Sequence, residues 1–174
     1  MTLELPKFRF HPDPIGNRVI KESDAVCSVC EKKTGYIYTG PFFAREYNLF
    51  CPWCLANGDA AKKFDGFFQY AGDVPDVPEE ERQELICRTP TYVAWQNPLW
   101  LYHCNSPCAF IGYVLWNDIK DKLDRFIDLE RDSQQSVGWN RDLLSRRFHE
   151  AFSVQGYLFE CLHCHGYLLH MDRD

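Results

Sequence analysis

No run of about 18 apolar residues occurs anywhere in the 174-residue chain, so no membrane-spanning helix is expected. The opening residues Met1-Thr2-Leu3-Glu4-Leu5-Pro6 lack both a basic start and an apolar stretch. No secretory leader is expected, and the cytoplasm is the expected location. Positive charge is short too: 19 Lys and Arg stand against 25 Asp and Glu, a formal net charge of −6. Nucleic-acid binding needs cations that neutralise phosphates, and no basic stripe interleaved with aromatics is present. A nucleic-acid-binding zinc protein is therefore a disfavoured alternative, whereas solubility or a basic protein partner suits the acidic balance. Asp, His and Ser are scattered without a positioned nucleophile and base, so no catalytic residue is assigned and an enzyme is disfavoured.

What is abundant is apolar and aromatic material, 45% and 16% of residues, enough for the chain to bury a core. Cysteine is plentiful as well. Nine cysteines are present, and eight form four close pairs: Cys27/Cys30, Cys51/Cys54, Cys104/Cys108 and Cys161/Cys164. Cys87 is left over and reads as a small buried hydrophobe at a helix end. In a cytosolic chain such pairs point to metal before disulfides. A short loop turns two sulfurs to one side, and two such loops complete a tetrahedron. The first quartet reads C-x2-C-x20-C-x2-C, a specific spacing. The second reads C-x3-C-x52-C-x2-C, less specific because of its long insertion. Nearest-neighbour pairing gives two zinc ions, each in a four-cysteine site, one from Cys27, Cys30, Cys51 and Cys54, the other from Cys104, Cys108, Cys161 and Cys164. A crossed pairing stays open. His103 and His163 adjoin ligand cysteines, where a histidine more often supports a site than ligates it. Iron also occupies four-cysteine sites.

The pattern along the chain predicts an α+β protein with two zinc-knuckle subregions, treble-clef and zinc-ribbon-like hairpins with several short helices. Residues 1–72 form the treble-clef-like part: a strand at Tyr36–Thr39 returns from the first knuckle, and Cys51-Pro52-Trp53-Cys54 opens a helix carrying Ala60, Ala61, Phe64, Phe67 and Phe68 on one side. Residues 73–89 form an acidic linker and a short helix from about Pro78 to Arg88, with Asp73, Asp76, Glu79, Glu80, Glu81 and Glu84 as a solvated face or a dock for a basic partner. Residues 90–174 form the ribbon-like part. One hairpin is expected from Trp100–Tyr102 and Ala109–Val114, and another from Val154–Glu160 and Tyr167–Met171. Helices are inserted at 117–130, capped by Asn117, and at 141–152, capped by Asn140, with a polar loop between.

A rival reading is thiol–disulfide exchange at Cys51 and Cys54, since Cys-Pro-Trp-Cys resembles a glutaredoxin-type C-P-x-C and Thr89-Pro90 resembles the accompanying cis-proline. Cys27 and Cys30 at zinc spacing speak against it.

A longer string of motifs runs through the chain: Phe10-His11-Pro12-Asp13-Pro14, Thr34-Gly35-Tyr36-Ile37-Tyr38-Thr39-Gly40-Pro41, Cys51-Pro52-Trp53-Cys54-Leu55-Ala56-Asn57-Gly58, Arg88-Thr89-Pro90, Trp95-Gln96, Cys108-Ala109-Phe110-Ile111-Gly112 and the terminal Cys161-x-x-Cys164. This string resembles the CbrC family of bacterial proteins, named for a colicin-tolerance phenotype. The resemblance implies an immunity-like role against a toxin and carries over no activity or catalytic residue. The eight paired cysteines match its pattern, although His165 stands where a knuckle often has glycine. Joined to the −6 charge, it leads to the expectation of a protein partner, a basic toxin domain captured by electrostatic steering.

Overall fold

The computed structural model describes residues 4–46, 48–70, 77–149 and 153–174. It divides the chain into two compact units, Met1–Val93 and Ala94–Asp174. Helices are short and sheets small and antiparallel, as the α+β reading expects.

In the first unit, strands β1 (Ile20–Val26) and β2 (Lys33–Tyr38) form a hairpin in which Val26 faces Lys33 across the first knuckle. The chain then reaches α1 (Pro52–Ala56) and α2 (Asp59–Phe64). The single helix expected after Cys54 is broken because Gly58 takes a left-handed φ of 84°, where a side chain would be strained. Phe67 accordingly leaves the helix and bridges to Phe43. The acidic helix α3 (Glu79–Arg88) falls where expected and packs Leu85 and Ile86 inward. Asp73 and Asp76 of the acidic run lie outside the described residues. Glu81 and Glu84 are already engaged: one Arg9 guanidinium bonds both, at 3.0 Å each.

The unit closes around an aromatic cluster in which Phe42, Phe50 and Phe68 pack on Tyr38 or on one another. The Tyr38 hydroxyl donates to Pro41 O at 2.7 Å and accepts the Thr91 N–H at 3.2 Å, so its ring can be buried without an orphan oxygen. His11, fully buried, is held through Nδ1 against Pro90 O at 2.7 Å and through Nε2 against Asn17 at 3.1 Å. Burial is the main cause of a pKa lowered to about 4, only partly opposed by the Pro90 carbonyl and Asp13.

In the second unit, β3 (Tyr102–His103) and β4 (Ser106–Pro107) make a minimal hairpin, and β5 (Ala109–Val114), β6 (Val154–Glu160) and β7 (Tyr167–Arg173) make a three-stranded sheet in that spatial order. The β6–β7 hairpin is the one expected. The other is corrected: 109–114 pairs with β6, and the local partner of Tyr102 is Pro107. Between β5 and β6 stand α4 (Trp116–Ile119), a 3-10 turn over Lys120–Arg125, α5 (Leu129–Val137) and α6 (Arg141–Arg147). The helix expected over 117–130 is split because the Asp128 carboxylate accepts the Arg131 N–H at 3.1 Å and starts a new helix. Asn117 lies inside α4, and the first turn is held instead by Asp118, which accepts the Leu115 N–H at 2.7 Å. The expected loop at 131–139 is largely α5. Its polarity misleads because Asp132 and Ser133 face inward, Asp132 accepting the Leu169 N–H of the sheet's edge strand at 2.9 Å. Asn140 caps α6 as expected. The helix ends at Arg147, and Ala151 and Phe152 lie outside the described residues. Phe148, Leu144, Val154, Leu158, Leu169 and Met171 fill the core.

Candidate metal centres

Two segments of the chain fold alike. In the first knuckle the Cys27 N–H bonds Lys32 O at 3.0 Å and the Glu31 N–H bonds Cys27 O at 2.8 Å. In the last, the Cys161 N–H bonds Gly166 O at 2.9 Å and the His165 N–H bonds Cys161 O at 2.9 Å. Glu31 and His165 both take a φ of 59°, the left-handed turn that glycine enters most cheaply. His165 tolerates it with its ring against Glu160 at 2.9 Å. The register aims main-chain N–H groups at the leading sulfur: the Val29 N–H lies 3.4 Å from Cys27 Sγ, and the Cys51 N–H 3.3 Å. Burial would raise the Cys27 thiol, but the N–H groups of Cys30, Cys51 and Val29 outweigh it and hold it down at about 7. For Cys161 burial is likewise outweighed, by the N–H groups of Cys164 and His163 and by His103, and the thiol is held down at about 6. Each knuckle thus offers one sulfur that ionises readily, as a metal ligand must.

The second halves differ. Cys51 is the cap of α1 and Cys54 lies within it. Both are buried, and burial pushes both thiols up, Cys51 and Cys27 adding to the rise at Cys54. Cys27, Cys30, Cys51 and Cys54 present their sulfurs within 4.8 Å of one another. The Cys30 and Cys51 sulfurs are 4.0 Å apart, about twice a disulfide bond and close to the roughly 3.8 Å edge of a tetrahedron with 2.3 Å zinc–sulfur bonds. The four residues therefore fit a tetrahedral metal. They also speak against an isolated redox pair: Cys51 is shared with Cys27 and Cys30, and no peptide bond among the described residues is cis, so Thr89–Pro90 does not supply the cis-proline of that reading.

In the second unit the donors within 4.8 Å of one another are His103, Cys104, Cys161 and Cys164. Cys104 and Cys164 are exposed and Cys161 is buried. Cys108, expected as a ligand, is fully buried beside them. Its thiol is pushed up by burial first and then by Cys161, Cys164 and Cys104, so it belongs to the same neighbourhood. Trp100 Nε1 donates to Cys108 O at 2.8 Å and fixes its backbone. His163, the other histidine weighed, is not in the group. Cys87 is half-buried on α3, with its thiol 3.7 Å from Gln83 Oε1.

One further constellation was not visible in the spacing. His170 lies 3.3 Å from Ser136 Oγ through Nδ1 and 3.4 Å from Asp172 Oδ1 through Nε2. The order of groups resembles a nucleophile–base–carboxylate relay, but its commitments are structural. Asp172 Oδ2 already accepts the Tyr157 hydroxyl at 2.8 Å and the Trp95 and Gln96 N–H groups at 3.1 Å each. Ser136 sits inside α5, where adjacent N–H groups are spent on the helix and cannot hold an oxyanion. A His-x-Asp on a strand whose flanking residues are apolar was the only available signal.

A family model described as "Uncharacterised protein family (UPF0167)" matches residues 5–173. Proteins of that name from Mycobacterium bovis and Mycobacterium tuberculosis are each 38% identical over 177 residues, covering 97% of this chain and 94% of theirs. One from Pseudomonas aeruginosa is 33% identical over 180 residues, covering 94% of each chain. No solved structure matches significantly. The resemblance to a colicin-tolerance family is corrected accordingly: the matched family and relatives bear the UPF0167 name, and none mentions CbrC, colicin or tolerance.

Proposed function

The chain belongs to the UPF0167 family, and on that premise we propose that it is a zinc protein with two metal sites, one in each unit, whose work is to bind a protein partner rather than to turn over a substrate. The observation that carries this reading is the repeated knuckle: the same hydrogen-bond register presents two cysteines at Cys27/Cys30 and again at Cys161/Cys164, each beside a second set of donors. Zinc suits thiolate-rich tetrahedral sites, and four protein ligands leave no position for a reactive water. When bound, the metal supplies charge compensation for thiolates that burial otherwise keeps protonated. The chain's own N–H groups orient the sulfurs and share their charge.

For a partner, the net charge of −6 favours a basic surface. The acidic face of α3 is weaker support than its sequence implies, because Arg9 already occupies two of its carboxylates. The test is metal content of protein purified without added metal, with a free-thiol count. Two zinc ions per chain support the reading. Iron by absorbance replaces the metal but keeps the sites. No metal, with Cys51 and Cys54 oxidised to each other, overturns it in favour of thiol exchange.

A further inference from the structure

We propose that the zinc of the second unit is held by one nitrogen and three sulfurs, His103 Nδ1 with Cys104, Cys161 and Cys164, while Cys108 stays outside the coordination sphere as a buried thiol; this rests on the two-site reading above. His103 Nδ1 lies 3.1 Å from Cys104 Sγ and 3.4 Å from Cys164 Sγ. A tetrahedron with zinc–nitrogen bonds near 2.0 Å and zinc–sulfur bonds near 2.3 Å has nitrogen–sulfur edges of about 3.5 Å. The imidazole nitrogen therefore stands where a fourth ligand would.

The backbone explains how adjacent residues can serve one ion. Neighbours on a strand point to opposite faces. Cys104 and Asn105, the two residues between β3 and β4, both take left-handed φ values, 52° and 58°. That is the two-residue turn which matches strand twist, and it costs a non-glycine residue about 1 kcal/mol or more. It swings Cys104 round to the side of His103. The knuckle meets this turn directly, Cys161 Sγ lying 3.8 Å from His103 O. Cys108, beyond β4, is fully buried with its N–H bonded to Leu101 O at 2.9 Å; its thiol touches Cys161, but the four donors that lie within 4.8 Å of one another are His103, Cys104, Cys161 and Cys164.

Zinc X-ray absorption on the full-length, zinc-loaded protein tests this without a variant. Seven sulfurs and one nitrogen over two ions are expected, and eight sulfurs overturn the proposal. Variants sharpen it. Cys108→Ala should keep two zinc ions. His103→Ala should weaken the second by more than the roughly 10- to 100-fold that loss of an outer hydrogen-bond partner costs. Release of the second zinc by Cys108→Ala, or a smaller effect of His103→Ala, overturns the assignment while leaving two metal sites in place. A wild-type protein that binds a single zinc overturns the assignment and the two-site reading together.

Discussion

The first unit builds its cysteines into its main apolar cluster, and the second keeps its buried cysteines apart from its own. Cys27, Cys51 and Cys54 belong to the same buried cluster as Phe50, Leu55 and Phe68, with Cys30 packed against it. The main cluster of the second unit consists of residues such as Leu144, Phe148, Leu158 and Leu169, with no cysteine among its described residues; the buried Cys108 and Cys161 lie outside it. The same knuckle thus serves two purposes. Where little sheet or helix is present, metal must do what apolar area cannot. Where a three-stranded sheet is covered by helices, the knuckle is an attachment at one end of β6 and β7.

The sharpest way to break this contrast is to remove metal. Zinc-finger peptides owe roughly 10–16 kcal/mol of apparent stability to their ion, as much as a whole small domain possesses. Chelation should therefore abolish amide protection across β1, β2 and α1 while β6 and β7 keep theirs, measured by hydrogen exchange read by peptide mass. Equal loss in both units would end the distinction. The converse experiment attacks the metal-free core. Phe148 is fully buried, so close to Gly156 that a Cβ there would stand 2.4 Å from its ring. Phe148→Ala should cost the second unit about 3–5 kcal/mol in urea unfolding and leave the zinc content unchanged.

A smaller effect follows pH and acts in the same direction in both units, since burial lowers His170 of the second as it lowers His11 of the first. His11 titrates at about 4 in the folded chain against about 6.5 unfolded, so between those values the unfolded chain binds the extra proton. Its contribution is intact above pH 6.5 and is lost as pH falls toward 4, up to about 3 kcal/mol. His11→Asn should flatten that slope in the stability of the first unit, measured by urea midpoints across the window. Smallest of all is Arg9→Ala. Its two ion pairs are partly exposed, and it should cost no more than about 1 kcal/mol, read as a midpoint shift that fades in high salt.

Local features were legible in the sequence and long-range ones were not. The cysteine pairs, the β6–β7 hairpin, α3 and the Asn140 cap depend on neighbours within a few residues. The partner of Ala109–Val114 does not: Tyr157 and its neighbours, some forty residues on, compete with the local hairpin and win because the longer strand offers more main-chain bonds. α5 escaped notice because a sequence pattern shows that Asp132 is polar, not that it will be buried to satisfy Leu169. The first quartet was readable as one site because C-x2-C appears twice. At the second, His103 joins the sulfurs beside a left-handed φ at Cys104, which no spacing encodes.

The segments 27–32 and 161–166 are the same length, leave their strands at equivalent pairs, Val26 with Lys33 and Glu160 with Tyr167, and close with the same two main-chain bonds. They share only their two cysteines, and neither has glycine at the left-handed step. Backbone geometry and two sulfurs specify each, so the second should graft onto the first hairpin, whereas the reverse graft would set Lys32 at position 166, where a Cβ would stand 2.6 Å from Ile127. A motif search that demands glycine after the second cysteine would pass over both copies.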